Sequence, residues 1–115
     1  MLVLFDQGTP IGIRSQLSEH AVETARERGW STLTNGKLLE SAEQAGFQVL
    51  VTPDKNLIYQ QNLAGRKIAI VALGQNRWKL IQPTLGQIAK AINEAKPGTY
   101  TLVEIPATVG QHNTR

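Results

Sequence analysis

Apolar positions in this chain fall into short unbroken runs, separated by segments whose apolar residues recur at helical spacing. The central run is Phe47 to Thr52, which leads into the polar turn Pro53-Asp54-Lys55-Asn56-Leu57. An uninterrupted, β-branched run suits a strand buried on both faces of a parallel sheet. Proline cannot donate to a strand ladder, so Pro53 marks the strand's end and Asp54 falls just past its carboxyl terminus. Met1 to Phe5 repeats the arrangement, with Asp6 directly behind it. Ile68 to Leu73 is a third apolar strand, ended by Gly74, and Tyr100 to Ile105 alternates as an edge strand does.

Between these runs the period lengthens. Asn35 to Ala45 predicts a helix with Leu38, Leu39 and Ala42 as its buried stripe and Gly46 as its stop. At about 100° per residue Asn35 lies within that stripe, whereas Glu40 and, less strongly, Glu43 point away from it. Pro83 is expected to open the last helix, with a stripe of Leu85, Ile88, Ala89 and Ile92, broken by Pro97-Gly98. A short helix is expected after Gln7-Gly8, with Thr9 as its cap and Pro10 in its first turn, carrying Ile11, Ile13 and Leu17 on one side. Ser18 to Arg28 admits two readings. Ala21, Val22 and Ala25 fit a helix face, and His20 to Thr24 fits a short edge strand, which is the reading adopted. Tyr59 to Ala64 predicts a short helix closed by Gly65. Arg77 to Ile81 predicts a helical turn or loop.

Alternating strands and helices over this length argue a three-layer α/β domain with a mainly parallel sheet of about five strands and right-handed crossovers. The 115 residues suffice for one core, expected over residues 1–106, with 107–115 a polar, aperiodic, flexible tail. There is no cysteine, which excludes disulfides, thiol chemistry and thiolate zinc sites. No apolar run approaches the roughly 20 residues of a spanning helix, and the N-terminus lacks a signal-peptide pattern. A cytoplasmic protein without membrane contact is therefore expected. The formal net charge of +3 permits a nucleic-acid or acidic partner without requiring one.

In open α/β sheets, ligands gather outside the carboxyl ends of the strands. Asp6 and Asp54 are both placed to reach that rim, where carboxylates can hold Mg²⁺ or Mn²⁺. Taken alone, each acid is as readily a cap or turn residue. Thr52, one position before the turn, can hold a carboxylate or merely satisfy a strand end. Asn35 and Asn56 can each serve a site through their amides or act as local caps. Arg14, Lys55, Arg66, Lys67, Arg77 and Lys79 can line a phosphate groove or form a solvated face. Trp30 and Trp78 can stack on bases, though packing is the commoner use. His20 and His112 lack partners at metal-ligand spacing. No phosphate-binding loop, dinucleotide glycine fingerprint or nucleophile elbow is present.

Together the segments Leu2-Val3-Leu4-Phe5-Asp6, Glu27-Arg28-Gly29, Asn35 to Ala42 and Val51 to Leu57 resemble those of small PIN-like nucleases related to VapC-type toxins. The resemblance covers most of the chain to about Leu73. It implies a PIN-like α/β/α domain and a metal-dependent endoribonuclease, the toxin of a toxin–antitoxin pair, cleaving single-stranded RNA. A small antitoxin partner and a possible homodimer come with it. Asp6 and Asp54 match the family's metal-binding acids. Asn35 and Asn56 stand where it usually or often carries further acids, and a branch of the family resembles this chain in having amides there. Catalytic roles are thus implied for Asp6, Asp54, Asn35 and Asn56, with Mg²⁺ or Mn²⁺ on the two aspartates and RNA contacts from Thr52, Lys55 and Arg14. Two charges in place of four also leave open a non-catalytic module that binds RNA or protein. A receiver-like or phosphatase-like domain is disfavoured, because no lysine-bearing strand end or phosphate loop accompanies the acids.

Overall fold

The computed structural model describes residues 1–56 and 63–106. Strands β1 (Leu2–Phe5), β2 (Ala21–Thr24), β3 (Val49–Thr52), β4 (Ala69–Leu73) and β5 (Tyr100–Val103) form one sheet, in the order β2-β1-β3-β4-β5. Every neighbouring pair is parallel. The helices are α1 (Asn35–Gln44), α2 (Trp78–Ile81) and α3 (Leu85–Asn93), with 3-10 turns at Ile11–Gln16 and Gln82–Thr84.

The unbroken apolar runs have a direct cause. Val3, Phe5, Val49, Val51, Ala69, Val71 and Leu73 share one buried cluster with Ile13, Ile81, Ile88 and Ile92. Their alternates Leu4, Leu50 and Ile70 share a second with Leu38, Leu39 and Ala42 of α1. Both faces of the middle strands are thus dry, and their one polar residue, Thr52 at the end of β3, is buried with its hydroxyl hydrogen-bonded.

Helix α1 ends as its sequence predicts. The Phe47 N–H bonds the Ala42 carbonyl at 2.9 Å and the Gly46 N–H bonds Glu43 at 3.1 Å. Gly46 takes φ +92°, which a side chain would oppose. One turn earlier Glu43 accepts from Arg66 at 2.6 Å and from the Lys67 N–H at 2.7 Å, just ahead of β4. That tie holds the end of α1 at the amino rim of the sheet. The helix start, Asn35, therefore lies toward the carboxyl rim.

Several elements differ in detail from their sequence patterns. The segment around His20 to Thr24 is a strand, and β2 forms one edge of the sheet. Thr9 does not cap the following turn; its hydroxyl donates to the Val51 carbonyl at 3.0 Å, a tertiary bond no local pattern signals. Pro83 sits in a 3-10 turn rather than opening α3, because α2 already runs into it. Strand β5 stops at Val103 and forms the other edge. Most of the expected Tyr59–Ala64 helix, and the whole tail from Ala107, lie outside the described residues. Among the described residues no helix is long and apolar enough to cross a membrane.

Candidate functional site

Parallel strands put all five carboxyl ends at one rim. In this strand order the chain leaves β1 toward β2 and leaves β3 toward β4, so a crevice opens between the ends of β1 and β3. Such a switch point is where open α/β sheets receive ligands. Register then decides which residues meet there. Phe5 pairs with Val51, which carries Asp6 to the level of Thr52.

The two strand ends are stitched together by polar bonds. The Val51 carbonyl accepts the Asp6 N–H at 2.8 Å as well as the Thr9 hydroxyl. The Thr52 hydroxyl, fully buried, donates to Asp6 Oδ2 at 2.9 Å and accepts the Asp54 N–H at 3.0 Å. Thr52 thus links the side chain of one aspartate to the backbone of the other. Asp6 Oδ1 accepts the Gln7 N–H at 2.7 Å, and Asp54 Oδ1 accepts the Asn56 N–H at 3.0 Å. Gly8 takes φ +90°, and a Cβ there would stand 3.3 Å from Pro53 Cγ, so the two turns are in close contact.

Electrostatics mark Asp6 as the unusual acid. Burial raises its carboxyl above the ordinary range. The Thr52 hydroxyl and Gln7 N–H pull the other way, and the nearby charge of Asp54 raises it further. Among the described residues no lysine or arginine pairs with it.

A cavity of about 450 Å³ opens beside Asp6, lined also by Gly8, Ile11, Arg14, Arg26 and Glu27. Arg14 donates to the Val22 carbonyl at 3.0 Å and to Glu27 at 3.1 Å, so part of its guanidinium is already engaged. Glu27 and Thr24 cap each other: the Thr24 N–H bonds Glu27 Oε1 at 2.9 Å and the Glu27 N–H bonds Thr24 Oγ1 at 3.0 Å. Donation by the Thr24 N–H, with Arg14 adding to it, lowers the Glu27 carboxyl even though burial opposes.

The remaining candidates are more scattered. Asn35 is the first residue of α1 and half-buried, at the helix end nearest this rim. Asn56 is exposed in the Asp54 turn and contributes its backbone N–H there. Lys55 is exposed, and its carbonyl accepts the Tyr100 hydroxyl at 3.0 Å. The six cations do not form one groove. Arg66 and Lys67 precede β4 at the opposite rim, beside Glu43. Trp30 packs edge-on against Phe47 at 6.1 Å, under the guanidinium of Arg28, whereas Trp78 is exposed. The Arg14–Glu27 wall was not foreseen, although the T-x-x-E spacing of Thr24 and Glu27 is a capping signature visible in the sequence.

Whether a divalent ion suits this rim is a question of donors. Two carboxylates lie together, each oxygen retaining lone-pair capacity beyond the bonds just described. Among the described residues no third Asp, Glu, His or Cys joins them. Mg²⁺ commonly keeps several waters and takes one or two carboxylates, so a two-acid rim fits it as an open site, not a closed cage. Comparison with protein-family models, curated sequences and solved structures found no match to this chain.

Proposed function

We propose that this chain is a metal-dependent endoribonuclease of PIN-like type, a three-layer α/β/α domain acting in the cytoplasm on single-stranded RNA. The observation that carries the reading is the junction Asp6–Thr52–Asp54 at the sheet's switch point. Asp6 and Asp54 would hold Mg²⁺ or Mn²⁺ and orient the attacking water. When bound, such an ion supplies Lewis-acid polarisation of the phosphodiester and a more acidic water. Thr52 keeps the Asp6 carboxylate in one rotamer. Asn35 and Asn56 complete the rim through their amides, and Arg14 and Lys55 steady phosphate. A toxin held in check by a small antitoxin covering the rim fits the same reading, as does a homodimer.

A second reading keeps the fold as a binding module without turnover. It is favoured by the amides at Asn35 and Asn56 and by the missing third acid among the described residues.

The test is cleavage of single-stranded RNA in Mn²⁺ by the wild type and by Asp6→Asn and Asp54→Asn. Loss of a direct ligand is expected to lower the rate by more than the roughly 10–100-fold typical of outer-shell partners. No cleavage by the wild type, with no Mn²⁺ binding by calorimetry, would leave the binding module.

A further inference from the structure

The rim extends past its two acids. The cavity beside Asp6 lies on the β1–β2 side, and its volume of about 450 Å³ falls within the roughly 300–1,000 Å³ of small-molecule sites. Its walls differ in chemistry. Arg14 is immobilised by Glu27 and by the Val22 carbonyl. Arg26 is exposed, and no ion pair engages its side chain among the described residues. Ile11, 52% exposed, turns an apolar side chain into this cavity's lining.

The apolar side continues beyond Ile11. The Trp78 ring lies directly against the backbone of Gly12, where an added Cβ would sit 2.5 Å from the indole. Only glycine admits that approach. Trp78 is itself 37% exposed. The exposed indole therefore packs on the same 3-10 turn that carries Ile11, and Ile11 lines a cavity whose walls also hold Arg14, Arg26 and Asp6.

Resting on the nuclease reading, we infer that this cavity seats one unpaired nucleotide of the RNA strand, adjacent to the phosphate held at Asp6 and Asp54. The base lies against Ile11, with the Trp78 indole on the same turn extending the apolar surface, and Arg26 takes the nucleotide's phosphate. Every base has an apolar face, so such a surface accepts single strands with little sequence preference. A paired base is stacked in its duplex and cannot enter. The Glu27 charge is offset by the Arg14 guanidinium paired with it, which leaves Arg26 as the wall's unpaired cation among the described residues. Arg14, held by Glu27 and the Val22 carbonyl through one guanidinium nitrogen, fixes the wall and steadies the adjacent phosphate.

The experiment is fluorescence anisotropy of a labelled, short single-stranded oligoribonucleotide titrated with the full chain in EDTA, so that binding is read without cleavage. Ile11→Ala and Arg26→Ala alter exposed side chains and leave the core intact. Each is expected to weaken binding by about tenfold. Arg26→Ala alone should also flatten the salt dependence, by about 0.7 in the log–log slope for one lost phosphate contact on a single strand. Gly12→Ala should weaken binding by displacing Trp78. Wild-type Kd values in both Ile11→Ala and Arg26→Ala, or tighter binding of duplex or of single-stranded DNA, would overturn the inference. Cleavage that depends on Asp54 in those same variants, with unchanged Kd, removes the cavity assignment and leaves the nuclease reading. The expected binding losses without any cleavage by the wild type do the reverse.

Discussion

Two carboxylates at opposite rims of the sheet, Asp6 and Glu43, meet the same burden and end differently. For each, burial is the largest single influence and pushes the carboxyl up. Glu43 is nonetheless lowered, because the Lys67 N–H, the Arg66 guanidinium and the Ile68 N–H together outweigh burial. Asp6 is raised: it has the Thr52 hydroxyl and one N–H, a second acid nearby and, among the described residues, no paired cation. Glu43 is a finished joint that fastens α1 to the start of β4. Asp6 lacks that closure: half-buried, it is held only by the Thr52 hydroxyl and the Gln7 N–H, so burial and the neighbouring acid prevail.

Breaking the finished joint should have the largest effect on folding. Glu43→Ala removes an acceptor from Arg66 and from two backbone N–H groups, which is expected to cost about 1.5–3 kcal/mol. For a domain of this size each kcal/mol lowers Tm by about 4 °C in calorimetry. An unchanged Tm would show that the amino-rim bonds contribute nothing and would dissolve the contrast. Next comes Thr52→Val, nearly isosteric, which strips Asp6 and the Asp54 N–H of their shared partner. It is expected to weaken Mn²⁺ binding about 10–100-fold by titration calorimetry and to raise the Asp6 carboxyl further.

Smallest, and sharpest, is the opposite pH dependence of the two acids. The folded state holds the Asp6 proton more tightly than the unfolded chain does. Stability from this group is therefore full below the unfolded carboxyl value and falls as pH rises through the higher folded value. For Glu43 the folded value is the lower one, so its contribution is full above the unfolded value and is lost as pH falls toward the folded one. Chemical denaturation across the acid range should show Asp6→Asn removing the first slope and raising stability at neutral pH, and Glu43→Gln removing the second. Equal slopes in the two variants would mean that their environments do not differ as described. Saturating Mn²⁺ should abolish the Asp6 slope in the wild type, since an ion in place would favour the charged form.

Much of the frame could be read along the chain. Strands β1, β3 and β4 announce themselves because both of their faces are buried, and such strands cannot disguise their hydrophobicity. The stripe of Leu38, Leu39 and Ala42 and the stop at Gly46 are local properties and are found where the pattern puts them. The turn after Thr52 was legible as the end of a strand because proline cannot continue a ladder. Less was visible of the rim. Thr9 reads locally as a helix cap and instead donates to the Val51 carbonyl of β3, and Arg14 reads as a groove or solvated-face cation and is paired with Glu27. Lys67 and Arg66 looked like neighbours of Lys55 in one groove and stand at the other end of the sheet. Each of these depends on a partner distant in sequence, and residue type alone does not name it.

By itself the sequence determined which segments must be dry on both sides, which must be helical, and that aspartates follow two of the strands. Those are consequences of side-chain hydrophobicity and backbone sterics, acting over a few residues. Only the tertiary structure decided that β1 and β3 are neighbours in parallel, with Phe5 level with Val51. A sequence separation of 46 between Asp6 and Thr52 closes into a single hydrogen bond because the sheet's ladder sets that register. A slip of one residue would turn Asp6 to the other face of the sheet and leave no shared rim.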